Sequence, residues 1–535
     1  MLRKARRARS AGRTMAAAMA TLGATGVVAL AGTAVPSVAS ASTRTHAASS
    51  GGTLVLAANS APSSLNPALN GNGVPQAWFT DLAYDPLIGF SPTGHYVPDL
   101  ATSWKYVGKG NKVFDITLRK GVKFSDGTTL TAAGLKAYFT YYKKADGPFA
   151  GRLDQVSTMK VLAPLTLQLD LSVSDPYLPY YFSQDLVSGD VISAKALKSA
   201  SKLGSSTDGA GPYVLDAAAT VTGNKYVFVP NKYYWNPSAI HWKKVVVEII
   251  SSNSATLDAL RTGAVDYAIG TPADAPTAKK DGLNVTAAPL NWASIFLFDH
   301  TGKVTPALKS AKVRQALNWA IDRPAVAKQL WGQYGQPSDE VVPPGQIGYN
   351  KADAHMYGYN IAKAKKLLAE AGYPNGFTLP MLAFNLAPNE TILAQAIAAS
   401  LSQIGVNMQI TTPATLPEYL SAQASYKYAG TIFEYGTQPI YVEGQEILYP
   451  NGGALNPLHN NNAQFNALIA KIGQAPNSAA ITADSNALET AVMKQAWYVP
   501  VGVVDMTYFS SKKLGNTTVT AAEPNSDPVW LTPKK

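Results

Sequence analysis

Apolar and polar residues alternate along Val113–Leu118 (Val-Phe-Asp-Ile-Thr-Leu) and again along Thr166–Leu171, the two-residue period of strands that bury one face. Gly52–Asn59, Lys244–Ile250 and Ser294–Phe298 are instead short, continuous apolar runs rich in branched or aromatic residues. That pattern predicts strands covered on both faces. A helical period takes over after Asn360, where Ala364, Leu367, Leu368 and Ala371 fall on one face. Asn360 is placed to cap its first turn, Gly372 to end it and Pro374 to stop it resuming. Further helices are predicted over Lys312–Ile321 and over Leu393–Ile404, the latter stopped by Gly405 and followed by a strand at Val406–Thr411. Strands and helices intermix along the whole chain, so the predicted class is α/β. The small, polar stretch 199–211 and the Gly- and Pro-containing stretch near 299–306 read as boundaries.

The first fifty residues follow a different pattern. Arg3, Lys4, Arg6, Arg7, Arg9 and Arg13 are followed by a small-residue apolar stretch from Met15 to Val35, then Pro36, then Ala39-Ser40-Ala41. Basic, apolar and small residues in that order predict a secretory signal peptide over 1–41, with 42–51 as a flexible Ser/Thr/Ala tether. The apolar stretch is close to spanning length, but its Gly and Ala content makes it only weakly apolar, which favours cleavage over anchoring. The protein is therefore expected outside the cytoplasm, in the periplasm, at the cell surface or secreted. No later apolar run reaches about eighteen residues, and no internal repeat is apparent.

Composition narrows the chemistry. A chain of 535 residues that is 46% hydrophobic can bury two or three domain cores. Six of the positive charges behind the formal net +11 sit in the leader, and no later basic stripe points to a nucleic-acid partner. There is no cysteine, which excludes disulfides, thiolate metal sites, a cysteine nucleophile and a lipid-bearing cysteine at the processed N-terminus. His46, His95, His241, His300, His355 and His459 form no H-E-x-x-H or closely spaced pair, so no metal site is predicted. Neither a G-x-S-x-G elbow nor a phosphate-binding loop is present, and no cofactor is expected.

One enzymatic pattern merits a test: Ser157-Thr158-Met159-Lys160 fits S-x-x-K, with Ser251-Ser252-Asn253 and Arg261-Thr262-Gly263 mimicking its companion motifs. The last two lie eight residues apart, too close for the structure that separates them in such enzymes, and S-x-x-K recurs at 199–202 and 510–513. A secreted hydrolase acting on a saccharide or peptide thus lacks a recognisable nucleophile or metal, and no carboxylate pair stands out. The chain is read as a non-enzyme.

Specific motifs carry a resemblance. Tyr84-Asp85-Pro86-Leu87 is followed by Val97-Pro98-Asp99-Leu100-Ala101-Thr102-Ser103-Trp104 and by Phe114–Gly127 (FDITLRKGVKFSDG) running into Leu130-Thr131-Ala132. Next come Gly211-Pro212-Tyr213, Pro230-Asn231-Lys232-Tyr233-Tyr234-Trp235, Leu257–Asp266 (LDALRTGAVD), Val313–Arg323 (VRQALNWAIDR) and Ala364–Gly376. In this order they resemble the family 5 extracellular solute-binding proteins, the peptide- and nickel-binding group of ABC importers, over most of residues 52–450. The motifs themselves read as structural: Trp104, Phe114 and Phe124 as core, Asp126-Gly127 as a turn, and Arg314 and Asp322 as polar contacts on one helix.

The resemblance implies a two-lobe, periplasmic-binding-protein-like (type II) fold with an extra inserted domain. It implies lobe 1 from 52–84, 211–298 and 495–535, the inserted domain from 85–210, and lobe 2 from 299–494. It also implies a monomer that captures a small molecule or peptide between the lobes and delivers it to the permease subunits of an ABC transporter. A surface binding module not coupled to transport would share that fold. In peptide-binding members an aspartate within a G-x-x-D-x-x-D-P-like segment pairs with the ligand's amino terminus. Here the matching stretch is Gly430–Pro439, where Tyr435 stands near the amine-binding position and Gln438-Pro439 replaces Asp-Pro. Glu434 or Glu443 is then the nearest substitute acid. Aromatic rings with neutral amides suit a flat polar ligand, which makes Trp78, Trp292, Tyr435 and Tyr441, with Asn66 and Gln438, the expected ligand contacts beside Glu434.

Overall fold

The computed structural model describes residues 52–534 apart from Asn72, Asp146, 384–387 and 450–454. The expected signal peptide (1–41) and tether (42–51) lie outside the described residues. None of the described helices is long and apolar enough to cross a membrane.

Along the chain, β1 (Thr53–Ala58) is followed by the short hairpin β2 (Ile88–Phe90) and β3 (Tyr96–Pro98). Then come β4 (Ala101–Tyr106), β5 (Val113–Leu118), β6 (Val156–Ala163) and β7 (Thr166–Leu171), an antiparallel sheet in the order β4-β5-β7-β6. The helix Ala132–Lys144 covers one face of this sheet, and Leu135, Tyr138, Phe139 and Tyr142 are its buried residues. β5 and β7 alternate buried and half-buried positions residue by residue, as their sequence pattern requires.

The chain returns through β8 (Tyr213–Leu215), β9 (Lys225–Pro230), β10 (Lys244–Ile249) and β11 (Tyr267–Gly270) to a long strand, β12 (Asn284–Leu297). After the helices Ala311–Ala320 and Arg323–Leu330 come β13 (Gly335–Pro337), β14 (Thr378–Ala383), β15 (Asn407–Thr411), β16 (Gly430–Gly436) and a second long strand, β17 (Tyr498–Ser510). These build one large sheet, β15-β14-β16-β12-β17-β11-β1-β10-β9-β8, with β13 attached to β17.

β1 lies between β10 and β11 and runs parallel to both. Leu54 and Leu56 enter one core while Val55 and Ala57 enter another, so both faces are covered and the strand reads as a continuous apolar run. β12 does the same farther along, with Trp292 and Phe296 on one side and Ala293, Ile295 and Leu297 on the other.

The two long strands join the halves of this sheet. Asn284–Ala288 pair with Met506–Ser510, beside β11; Asn291–Leu297 pair with β16 on one side, and Asn291–Phe296 with residues 498–504 on the other. The register slips between Pro289 and Asn291. Proline has no amide hydrogen to give to the ladder, so a break is cheapest there.

The signature motifs are structural, with two adjustments. Phe114 and Phe124 are core, Asp126 accepts a hydrogen bond from the Thr128 amide (2.7 Å) across the turn, and Gly127 takes φ +83°. Trp104, expected in the core, is half-buried at its edge, because β4 is an edge strand. Arg314 and Asp322, expected on one helix, lie on either side of a break: the first helix ends at Ala320 and Asp322 caps the next, accepting from the Ala325 amide at 3.1 Å. Arg314 donates to the carbonyls of Leu308, Gln495 and Ala496.

Candidate functional site

Where the two long strands cross between the sheet halves, they run beside a cavity of about 270 Å³. Leu290 and Asn291, at the register slip of β12, and Met506 of β17 line it on that side. Residues 434–439, at the end of β16 and paired beside Asn291, line it too, together with side chains from the segment 149–185. Its volume is near the lower end of small-molecule sites, about 300–1,000 Å³.

Two side chains of opposite charge come from the 149–185 wall. Arg152 sits in the short turn Ala150–Leu153, its guanidinium 5.0 Å from the Phe149 ring centre and 5.7 Å from that of Tyr181. It donates from Nη2 to Oε1 of Gln438 at 3.3 Å. Gln438 in turn donates from Nε2 to the Tyr435 hydroxyl at 3.1 Å, and its own amide donates to Glu443 at 3.2 Å. Asp185 is the second charge; burial pushes its carboxyl up to about 6, a rise tempered by a hydrogen bond with Asn525, which also lines the cavity. Near Asp185, burial raises the carboxyls of Asp81 and Glu523 well above the usual carboxylate range; the charges of Asp527, Asp190 and Asp185 add to the rise at Asp81, and those of Asp185, Asp527 and Asp81 to the rise at Glu523.

Glu434 also lines the cavity, and burial pushes its carboxyl up to about 7. Its amide donates to Oε1 of Glu390 at 3.3 Å, and burial with the neighbouring Glu434 raises Glu390 well above its ordinary value. Phe149, Tyr177, Tyr180 and Tyr435 supply aromatic surface. At the far side from the crossing strands, the walls touch directly. Tyr177 stacks on Tyr441 with ring centres 5.1 Å apart, and the Tyr441 hydroxyl donates to the Ser174 carbonyl at 2.9 Å. Asn111, at the turn between β4 and β5, donates from Nδ2 to the carbonyls of Gly473 (3.0 Å) and Ala475 (2.8 Å).

Of the residues expected to touch ligand, Glu434, Tyr435 and Gln438 are brought together in this cavity. Asn66 is elsewhere and buried: it caps the turn Pro67–Leu69, accepting from the Ala68 amide at 3.0 Å, and donates to the Tyr141 hydroxyl at 2.6 Å. Trp78 is fully buried and donates its indole hydrogen to the Ser526 carbonyl at 2.7 Å. Trp292 is packed among Phe296, Tyr435 and Tyr498, one layer behind the cavity. Tyr441 faces a neighbouring cavity instead. Arg152 and Asp185 escaped the sequence reading, because neither lies in a motif and each reaches the cavity only through tertiary packing. Ser157, of the S-x-x-K pattern, lies on β6, where it donates to the Asp170 carbonyl at 2.9 Å while Lys160 pairs with the Asp170 carboxylate. Among the described residues, no group of three or more His, Cys, Asp or Glu is placed to hold a metal ion.

The glutathione-binding protein GsiB of Salmonella typhimurium strain LT2 is 30% identical over 310 residues, 56% of this chain and 57% of that protein. The chain thus spans a little over half the length of the curated relatives it matches. Among solved structures, the PBP AgaA in complex with agropinic acid, from A. tumefacien R10, superposes with TM-score 0.75 at 23% identity, covering 90% of this chain and 99% of that one. A dipeptide-binding protein from Pseudoalteromonas sp. SM9913, in complex with Met-Leu, superposes with TM-score 0.74 at 21% identity, covering 90% and 100%. These likenesses establish the two-lobe fold of periplasmic binding proteins. The model of the bacterial extracellular solute-binding proteins, family 5 Middle, matches residues 95–456, and the chain belongs to that family.

Proposed function

We propose that this protein is an exported solute-binding protein that closes two lobes around a small amphoteric solute of the short-peptide class. It passes that solute, covalently unchanged, to an ABC import permease. The observation that carries this reading is the cavity beside the crossing strands, with Arg152 and Asp185 on its walls and aromatic rings between them. Arg152 suits a ligand carboxylate, which accepts charge-assisted hydrogen bonds from a guanidinium. Asp185, an acid on the cavity wall, suits an ammonium, whose charge would in turn favour the ionised carboxylate. In this arrangement the amine finds its acid in Asp185, from a segment remote in sequence from Tyr435, which compensates for the missing aspartate in Gly430–Pro439. The glutathione-binding relative and the dipeptide-bound structural neighbour are consistent with a ligand of this class.

In this reading the lobe boundaries fall where the long strands change partners rather than at the expected 298/299 and 494/495: lobe 1 comprises 52–84, 211–290 and 505–534, with 85–210 inserted, and lobe 2 comprises 291–504. The strand pairing supports a hinge at Pro289–Asn291 and at 504–506, where both long strands change partners. Ligand bound between lobes favours closure because only the closed state offers contacts from both sides. Residues 1–41 direct export, and the working unit is a monomer.

A thermal-shift screen of residues 42–535 tests the proposal, using free di- and tripeptides, their N-acetylated and C-amidated forms, and oligosaccharides. Stabilisation follows occupancy by mass action, about 2.7 kcal/mol at a hundredfold excess over Kd. Free peptides are expected to raise the melting temperature and doubly capped ones to leave it unchanged. No shift with any peptide, or conversion of one into product, would refute the reading.

A further inference from the structure

A second cavity, of about 900 Å³, lies between the same two walls on the other side of Tyr177 and Arg152. It is bounded by the β4–β5 turn, by Ser172–Asp175, and by residues 441–474 of lobe 2. Chain neighbours divide between the two spaces. Arg152 lines the inner cavity and Gly151 the outer; Tyr177 lines the inner and Asp175 the outer; Gln438 lines the inner and Tyr441 the outer. A thin partition therefore stands between them. It consists of the Tyr177–Tyr441 stack, with an interplanar angle of 14°, and the Arg152–Gln438 hydrogen bond. The Tyr441 hydroxyl, held on the Ser174 carbonyl, fixes its position. These contacts are all made by side chains, and no backbone–backbone hydrogen bond joins 149–177 to 436–449 among the described residues. Side chains of this kind change rotamer without rearranging the sheet.

We propose that this partition sets the length of the ligand. Closed, it ends the inner cavity at Arg152 and limits the solute to roughly the size of a dipeptide, in keeping with a volume below that of drug-sized sites. With Tyr441 and Gln438 moved aside, the two cavities become one cleft, and a longer peptide runs past Arg152 into the outer space. There Lys109 and Lys112 of the β4–β5 turn offer positive charge to its carboxyl end. Large rings at a boundary between two spaces act as a wall because they exclude volume and stack at little entropic cost. The inference rests on the inner cavity being the ligand site.

The test is capture from a graded mixture. Wild-type residues 42–535 and the variants Tyr441→Ala and Gln438→Ala, stripped of ligand by unfolding and refolding, are incubated with a tryptic casein hydrolysate, washed, and analysed by mass spectrometry. Wild type is expected to retain the shortest peptides. Tyr441→Ala is expected to enrich peptides two or more residues longer by at least about tenfold, an energy difference of about 1.4 kcal/mol. Gln438→Ala, which leaves the ring stack in place, is expected to lengthen the captured set less; it carries the test if Tyr441→Ala does not refold. The same upper length in wild type and refolded variants overturns the partition and leaves the capture reading intact. Retention of no peptide by any of the proteins overturns both.

Discussion

Trp235 donates its indole hydrogen to the buried carboxylate of Asp85 at 2.7 Å, and the Arg119 guanidinium lies 4.0 Å above the same indole ring. The three residues come from three separate family motifs, Tyr84–Leu87, Phe114–Gly127 and Pro230–Trp235. Tyr234 of the third motif adds its hydroxyl to Asp85 at 3.3 Å, and Arg119 also donates to the Asp99 carbonyl at 2.9 Å. The three motifs thus fasten the segments around Asp85, Arg119 and Trp235 to one another. A buried carboxylate needs donors, and a guanidinium favours an aromatic face.

Trp235→Phe removes one donor and leaves Asp85 under-bonded in a buried position. Unfolding free energy is expected to fall by about 1–3 kcal/mol. Urea titration measures that loss. Peptide affinity, read by calorimetry on the folded variant, is expected to stay within about threefold of wild type, since neither residue lines the inner cavity.

Gly211, of the Gly-Pro-Tyr motif, approaches the backbone where the chain leaves the inserted segment. A Cβ there would stand 2.5 Å from the carbonyl carbon of Ala83 and from the amide nitrogen of Tyr84. Backbone does not yield as a side-chain tip does, so Gly211→Ala is expected to destabilise by about 1–3 kcal/mol through overpacking. The shift in thermal midpoint checks it.

Asn111→Ala deletes the two hydrogen bonds from the β4–β5 turn to the Gly473 and Ala475 carbonyls while touching no residue of the inner cavity. At about 0.5–1.5 kcal/mol each, their loss shifts the lobes toward the open form and weakens ligand affinity by roughly tenfold. Calorimetry gives the affinity and small-angle scattering the larger unliganded dimension. An unchanged affinity would mean that these bonds do not distinguish closed from open.

Stability depends on pH in a definite direction. Burial pushes the carboxyls of Glu340 and Glu489 up to about 8, with each other's charge adding to Glu340, and those of Asp175 and Glu434 up to about 7. Unfolded carboxyls titrate near 4. The folded protein therefore holds protons that the unfolded chain has released, and stability falls as pH rises from about 4 through 7 to 8. The melting temperature is expected to be higher at pH 5.5 than at pH 8.5, within the window about those values define. Glu489→Gln keeps an acceptor for the amides of Val341 and Val342 and is expected to flatten the dependence and stabilise most at the alkaline end.

Local pattern made much of the fold legible. β5 and β7 match the alternating segments, and the helix Ile361–Glu370 begins at its Asn360 cap, whose side chain accepts from the Lys363 amide at 2.9 Å. Gly372 adopts φ +90° just beyond that helix. β12 was only partly visible, because Asn284–Asn291 is half-buried and mixed in character; what makes it a strand is its pairing with β17, more than two hundred residues away. The helix expected to extend to Ile321 stops at Ala320, where Asp322 and Pro324 favour the start of a new one.

The candidate site divides in the same way. Glu434, Tyr435 and Gln438 were reachable because they occupy one short segment that resembles a known ligand-binding stretch. Asn66 and Trp78 look identical in sequence to cleft-facing residues, yet their polar atoms are used in buried contacts with the Ala68 amide, the Tyr141 hydroxyl and the Ser526 carbonyl. The sequence alone determined the α/β class, the order of elements and the family, since these depend on periodicity and on motifs read within a few residues. Which side chains face the cavity, that Arg152 and Asp185 share it, and that Tyr177 meets Tyr441 at its boundary were decided only by tertiary structure. A cavity is bounded by segments hundreds of residues apart, and no local pattern of polarity records which of them will meet.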